Sequence, residues 1–182
     1  MEKIPKDTKL LFVSNHRSNF DPLITWYALK KWKLAFISKP ENFKIPFFGR
    51  IIRRCCFLPI DRENPRKAIV TINRAAKLLK KQEVSIGVYP EGTRSKTCEL
   101  LPFHNGVFKI AQKADVPIVV LSITGTEKMA KATPFRRTDV YLDVLEVFSN
   151  IKETKTELIG TAARRLMETN IERRELLWQK DM

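Results

Sequence analysis

Apolar and polar residues fall into blocks along this chain, and the blocks follow two periods. Short apolar runs at residues 9–14, 34–38, 56–60 and 84–89 predict strands. The run at 116–123 is apolar nearly throughout, which predicts a fully buried strand parallel to its neighbours. Residues 140–148 alternate more and predict a strand nearer an edge. Between these runs the spacing turns helical. Residues 22–31 place Leu23, Tyr27 and Lys30 on one face, with Trp26 beside them. Residues 65–81 open with Pro65, which suits a first helical position. Ile69, Ile72, Ala76 and Leu79 then line one face, with Arg74, Lys77, Lys80 and Lys81 elsewhere. A short helix is predicted at 106–114 and a charged terminal helix at 157–178. Strands alternating with helices predict an α/β fold: a largely parallel, mixed sheet flanked by helices, in one domain over residues 1–182.

Residues 42–54 are apolar and basic together. Phe43, Ile45, Phe47, Phe48, Ile51 and Ile52 stand against Lys44, Arg50, Arg53 and Arg54. Two readings stand for this stretch: an interfacial segment on a lipid surface, and a core-packing loop.

Composition narrows the class. Of 182 residues, 43% are hydrophobic and 30% charged, which fits a globular body with a real core. The net charge of +14 favours anionic partners: nucleic acid, a phospholipid surface or a phosphorylated substrate. The three cysteines, Cys55, Cys56 and Cys98, have neither metal-ligand spacing nor a disulfide framework. Cys55 and Cys56 read as strand neighbours pointing to opposite faces, and Cys98 as a loop residue. That usage implies a reducing, cytosol-facing location. No apolar run approaches the roughly 18 residues of a spanning helix. Residues 1–5 lack the apolar core of a signal peptide.

Two constellations carry candidate chemistry. In Asn15-His16-Arg17-Ser18-Asn19-Phe20-Asp21-Pro22, one of only two histidines is followed by a carboxylate five residues on, at the end of the first predicted strand. Strand-to-helix corners are where α/β proteins place their chemistry, and histidine is best matched to moving a proton near neutral pH. A carboxylate on the far ring nitrogen would fix the tautomer. The bland alternative makes His16 a turn residue and Asp21 a helix cap. In Tyr89-Pro90-Glu91-Gly92-Thr93-Arg94-Ser95, Gly92 permits a close backbone approach. Arg94 offers a fork of donors to a phosphate, and the Thr93 and Ser95 hydroxyls could add bonds. An ordinary polar turn is the alternative there.

Taken together, His-x4-Asp and Glu-Gly-Thr-Arg-Ser resemble blocks of the glycerolipid acyltransferase family, which includes the 1-acylglycerol-3-phosphate acyltransferases. Residues 49–62, ending Phe57-Leu58-Pro59-Ile60-Asp61-Arg62, are similar to a second block of that family, and Val116-Pro117-Ile118-Val119-Val120 to a fourth. The resemblance covers about residues 4–126. It implies a glycerol-phosphate acyltransferase-like fold in which His16 is the base and Asp21 orients it. Glu91, Gly92, Thr93 and Arg94 then fall on the substrate-binding block, with Arg94 on the acceptor phosphate. Lys39 matches, more loosely, a phosphate-binding lysine. The strand and helix at about 139–178 lie beyond the motif core. Members usually carry an N-terminal membrane segment ahead of the first strand. Here that strand is expected directly after residues 4–7, so the chain either begins late by nature or lacks an upstream segment. Members also often carry a basic residue near the position of His104, which reads here as a pocket-wall or surface residue.

The implied reaction moves a fatty acyl group from a thioester of coenzyme A or acyl carrier protein to the free hydroxyl of 1-acyl-sn-glycerol 3-phosphate, giving phosphatidic acid. It calls for no metal and no cofactor beyond the thioester co-substrate. Backbone N–H groups at the start of the helix at Pro22 are candidates to hold the oxyanion. With both substrates lipids, no spanning run and an excess of basic residues, the expected contact is peripheral, at the cytoplasmic face of an anionic membrane. Another lysolipid acceptor is the nearest alternative. A basic nucleic-acid-binding module is the rival from another class, but the chain has no recognised motif for it and its charges are spread over several helices. Nucleic acid is therefore not an expected partner.

Overall fold

The computed structural model describes residues 3–97, 99–129 and 137–180. Cys98, read as a loop residue, lies outside them. A six-stranded sheet has the order β3-β2-β4-β1-β5-β6. Its strands are β1 (Leu11–Val13), β2 (Leu34–Ser38), β3 (Leu58–Pro59), β4 (Ser85–Val88), β5 (Ile118–Thr124) and β6 (Tyr141–Phe148). The first five run parallel, and β6 pairs antiparallel with β5. The helices are α1 (Asp21–Ala28), α2 (Phe48–Arg54), α3 (Pro65–Lys80), α4 (Lys109–Ala114), α5 (Thr126–Met129) and α6 (Thr156–Lys180). The expected α/β architecture is therefore present.

Strand alternation sends side chains to two cores. Leu11, Val13, Ile86, Val88, Ile118 and Val120 meet α3, α4 and α6 on one face. Leu10, Phe12, Phe36, Val119 and Leu121 meet Ile4, Leu29 and Trp32 on the other. Both faces being covered explains why β5 is apolar at nearly every position. β6, at the edge, is half-buried along most of its length.

Four local expectations are corrected. The strand expected at 56–60 shrinks to Leu58–Pro59. Cys55 caps the C-terminus of α2, and Cys56 has φ 59°, in the left-handed region, so the two are not strand neighbours. Cys55 is half-buried and Cys56 exposed. On α1 the expected apolar face points outward: Leu23, Trp26 and Tyr27 are exposed, while Asp21 and Thr25 are buried. This helix turns its polar side inward because its first turn carries part of the site. On α3, Ile69 is 54% exposed, and the buried face is Ile72, Ala75, Ala76 and Leu79. The helix starts as expected: Asn64 Oδ1 accepts from Lys67 N at 3.2 Å, with Pro65 following it.

Candidate active site

Parallel strands deliver their C-terminal ends to one side of the sheet, and there β1 and β4 release the two constellations side by side. Asn15, fully buried, continues β1 with its side chain. Its Nδ2 donates to Ile123 O and its Oδ1 accepts from Ile123 N, each at 2.8 Å. An amide side chain thus stands in for a peptide group and ties the corner to β5. The next residue is held by the second constellation. His16 N donates to Glu91 Oε1 at 2.6 Å, and His16 O accepts from Ser95 N at 2.9 Å. Both backbone polar groups of the histidine are therefore fixed from β4's loop.

The imidazole is fixed from α1. His16 Nδ1 lies 2.7 Å from Asp21 Oδ2. That same oxygen accepts from Arg17 N and Ser18 N, each at 2.7 Å, while Thr126 Oγ1 donates to Oδ1. Asp21 has no solvent exposure. A buried carboxylate needs such partners to stay charged. With Nδ1 bound to Asp21, Nε2 is the nitrogen left to take a proton. The ring of Tyr89 stacks on the imidazole, centroids 4.3 Å apart and planes 19° apart. Burial, and next the charge of Asp21, push the Tyr89 phenol well above its ordinary pKa, against a smaller opposing pull from Thr25. The phenol is thus neutral near neutral pH.

His16 opens onto a cleft of about 510 Å³. Its lining includes Lys39, Arg62, Gly92, Thr93 and Arg94, and many apolar side chains, among them Trp26, Ile45, Phe48, Ile51 and Phe57. Partial burial draws the Arg62 guanidinium below its ordinary pKa. Gly92 has φ 72°, and a Cβ there would stand 3.0 Å from the ring of His104, so the turn has little room for a side chain. His104 is exposed and packs behind this turn, in keeping with its reading as a surface residue.

Of the predicted residues, the fold brings His16, Lys39, Gly92, Thr93 and Arg94 to this one cleft, with Asp21 beneath His16. Glu91 stands apart from them. It is 3% exposed, and its oxygens accept from His16 N and Leu101 N at 2.6 and 2.9 Å, so it supports the corner and does not line the cleft wall. Burial raises its pKa, against those two hydrogen bonds and the nearby His16 and Arg17. Ser95 is likewise buried and acts through its backbone. The first turn of α1 supplies fewer free N–H groups than expected, since Asp21 N donates to Ser18 O, Ile24 N to Phe20 O, and Pro22 has none. The sequence alone assigns no task to Asn15, Arg62 or Tyr89. Only the terminal position of Arg62 in its block hinted at one.

A histidine on a buried carboxylate thus faces a cleft lined by both cationic and apolar side chains. A family model described as acyltransferase matches residues 1–124. The chain belongs to the acyltransferase family. It is 37% identical to the 1-acyl-sn-glycerol-3-phosphate acyltransferase of Cocos nucifera over 120 residues, 66% of this chain and 39% of that protein. With the 1-acyl-sn-glycerol-3-phosphate acyltransferase of Salmonella typhimurium it shares 32% identity over 163 residues, 88% of this chain and 66% of that protein. The crystal structure of the 1-acyl-sn-glycerophosphate (LPA) acyltransferase from Thermotoga maritima superposes with a TM-score of 0.75 at 28% identity, covering 96% of this chain and 69% of that one. The chain therefore spans between about two-fifths and two-thirds of the length of the two sequence relatives.

Proposed function

We propose that this chain transfers a fatty acyl group from a thioester to the free hydroxyl of 1-acyl-sn-glycerol 3-phosphate, giving phosphatidic acid. The observation that carries this reading is the shared cleft. The His16–Asp21 pair, the cations Lys39, Arg62 and Arg94, and a set of apolar side chains all meet there. A lysophospholipid has the same three parts: a hydroxyl, a phosphate and an acyl chain. Nε2 of His16 takes the hydroxyl proton as the oxygen attacks the thioester carbonyl. The new C–O bond forms, the C–S bond breaks, and the thiolate receives the proton back from the imidazolium. A thioester is already activated, so no covalent enzyme intermediate is needed. Base catalysis of this kind contributes roughly a hundred- to ten-thousand-fold. Arg94, Arg62 and Lys39 set the phosphate at a fixed distance from the base, and Glu91 and Ser95 hold the corner on which the base stands. Either coenzyme A or acyl carrier protein can present the thioester; both are anionic and suit the basic surface.

The site opens toward a peripheral membrane contact at the cytoplasmic face in this reading. Leu23, Trp26, Ile45, Phe48 and Ile51 are exposed around the cleft, and Phe47 beside them is 79% exposed. Lys44, Arg50, Arg53 and Arg54 are exposed among them. Phe43 leaves this group: it is 8% exposed, packed in the core with Ile52. The core-packing reading of residues 42–54 therefore holds for Phe43 and Ile52, and the interfacial reading is what we propose for the exposed side chains. Among the described residues no helix is long and apolar enough to cross a membrane.

Steady-state assays with acyl-coenzyme A and acyl carrier protein donors, on phosphorylated and dephosphorylated acceptors, test the proposal. Arg94→Lys keeps the charge and loses the fork, so KM should rise for the phosphorylated acceptor alone. Equal loss on both acceptors would move the reading to another lysolipid.

A further inference from the structure

The histidine sits on an aromatic column whose base is a glycine. β4 runs Ser85–Val88 and carries Gly87 opposite Phe12 on β1 and Phe36 on β2. A Cβ at Gly87 would stand 2.5 Å from Phe36 Cε1 and 2.7 Å from its Cδ1. Glycine inside a strand marks such a close approach. Seated there, Phe36 lies parallel to Tyr89, planes 2° apart and centroids 5.7 Å apart, and meets Phe57 edge-on at 5.4 Å. Tyr89 in turn stacks on His16 at 4.3 Å.

We infer that the Gly87–Phe36–Tyr89 column is a positioning device for His16, holding the imidazole plane and favouring its charged form as the proton is taken; the inference rests on the base role proposed above. Asp21 pins the imidazole at Nδ1 alone, which leaves the ring a pivot about that hydrogen bond. A flat ring stacked on its face removes the pivot. The same face also distinguishes two charge states. A neutral imidazole gains little from an aromatic quadrupole, whereas an imidazolium gains a cation–π interaction. The interaction therefore grows as the reaction proceeds, which is the condition for raising kcat and not only binding. Tyr89 acts through His16 and is a positioning residue.

The other charged groups around the imidazole are Asp21 on α1, Arg17 beside it, Glu91 after β4, and Lys39, Arg62 and Arg94 in the lining of the same cleft. All are retained in the variants that test the column. Tyr89→Leu and Tyr89→Met remove the ring face, Met keeping more of the bulk. Tyr89 also lines the cleft, so the readout is kcat: each variant should lower it by roughly 2- to 30-fold, whatever the change in KM. The acid limb of the kcat/KM profile should move to lower pH, because the imidazolium has lost a stabilising neighbour. Tyr89→Phe keeps the face and should recover most of the loss. Phe36→Leu, away from the histidine, should reproduce the direction with a smaller effect, and it keeps the test available if the Tyr89 variants fold poorly. Thermal melts accompany each variant. Loss in Tyr89→Phe as large as in Tyr89→Leu, an unmoved acid limb, or a loss confined to KM would each overturn the inference. His16→Ala is the separate control: full turnover in that variant would remove the base reading itself.

Discussion

Asp21→Asn separates the charge of the site from its shape. The substitution is close to isosteric, and the hydrogen-bond pattern tells which way the amide will turn. Oδ2 accepts three donors: His16 Nδ1, Arg17 N and Ser18 N. Oδ1 accepts one, the hydroxyl of Thr126. An amide oxygen in the Oδ2 position keeps all three backbone and ring contacts. The new NH2 then meets Thr126 Oγ1, which can rotate its hydrogen away and accept. The corner should therefore keep its geometry, and His16 its tautomer. What is lost is a unit charge beside the imidazolium that forms. At an effective dielectric of about 20, unit charges about 4 Å apart interact by about 4 kcal/mol, or roughly three decades in rate. Solvent reaching His16 through the cleft reduces this, so a loss of roughly 30- to 1,000-fold in kcat is expected. Exchanging charged for neutral acceptors should also lower unfolding stability by about 1–3 kcal/mol. Steady-state kinetics with the lysophosphatidic acid acceptor gives the first number and urea titration the second. A variant that keeps its fold and loses less than about tenfold would refute the reasoning, leaving Asp21 as an anchor for the loop and nothing more.

Three further outcomes follow from the geometry. Glu91→Gln should behave worse structurally than Asp21→Asn, because both of its partners are fixed backbone N–H groups and one must face the new NH2. We expect a loss of about 1–3 kcal/mol in urea unfolding together with reduced turnover, and a fully stable variant would show that Glu91 does not hold the corner. At Asp143, burial opposes the charge, but hydrogen bonds from Arg174 and Asn170 outweigh it and hold the carboxyl below its ordinary pKa. Its ionised form thus contributes stability that is present above the ordinary carboxylate range and lost as pH falls through the lowered value. Asp143→Asn should cost about 1–2 kcal/mol at pH 7, and the difference from the parent should shrink below about pH 4; a gap independent of pH would point to packing alone. Liposome sedimentation should show binding to anionic vesicles that weakens with salt and with Phe47→Ser. Equal binding to neutral vesicles, indifferent to salt, would defeat the electrostatic part of the membrane account.

The sequence was most readable where its logic is local. The His16–Asp21 spacing lies within one corner, and Asn64-Pro65 announces a helix through its own chemistry. Parallel β5 was visible because both of its faces are covered. The misses are long-range or conformational. Nothing in Asn15 or Ser95 reveals that their partners are Ile123 and His16, since that depends on which strands are adjacent. Glu91 carries a charge and sits in a loop, which reads as a binding residue until the fold puts it beneath His16. α2 was missed because it opens at Phe47, with φ 61° and no capping side chain, and closes before Cys56, which also has positive φ. Bulky residues seldom adopt that region, so no turn signal marks either end. The outward face of α1 was misread because helical periodicity cannot tell a core stripe from a surface one.

Arg17 gives the site a schedule. Its guanidinium is buried between Glu127 of α5, 3.7 Å away, and Glu175 of α6, 3.2 Å away. The second contact joins residues 158 positions apart. A ribosome therefore makes Arg17, the neighbour of His16, 158 positions before its partner Glu175. Until α6 has emerged and docked, the corner that carries His16 lacks one of its ties. Assembly of this corner is thus coupled to the docking of α6, and a chain that has paired its parallel strands but not docked that helix would still lack the tie.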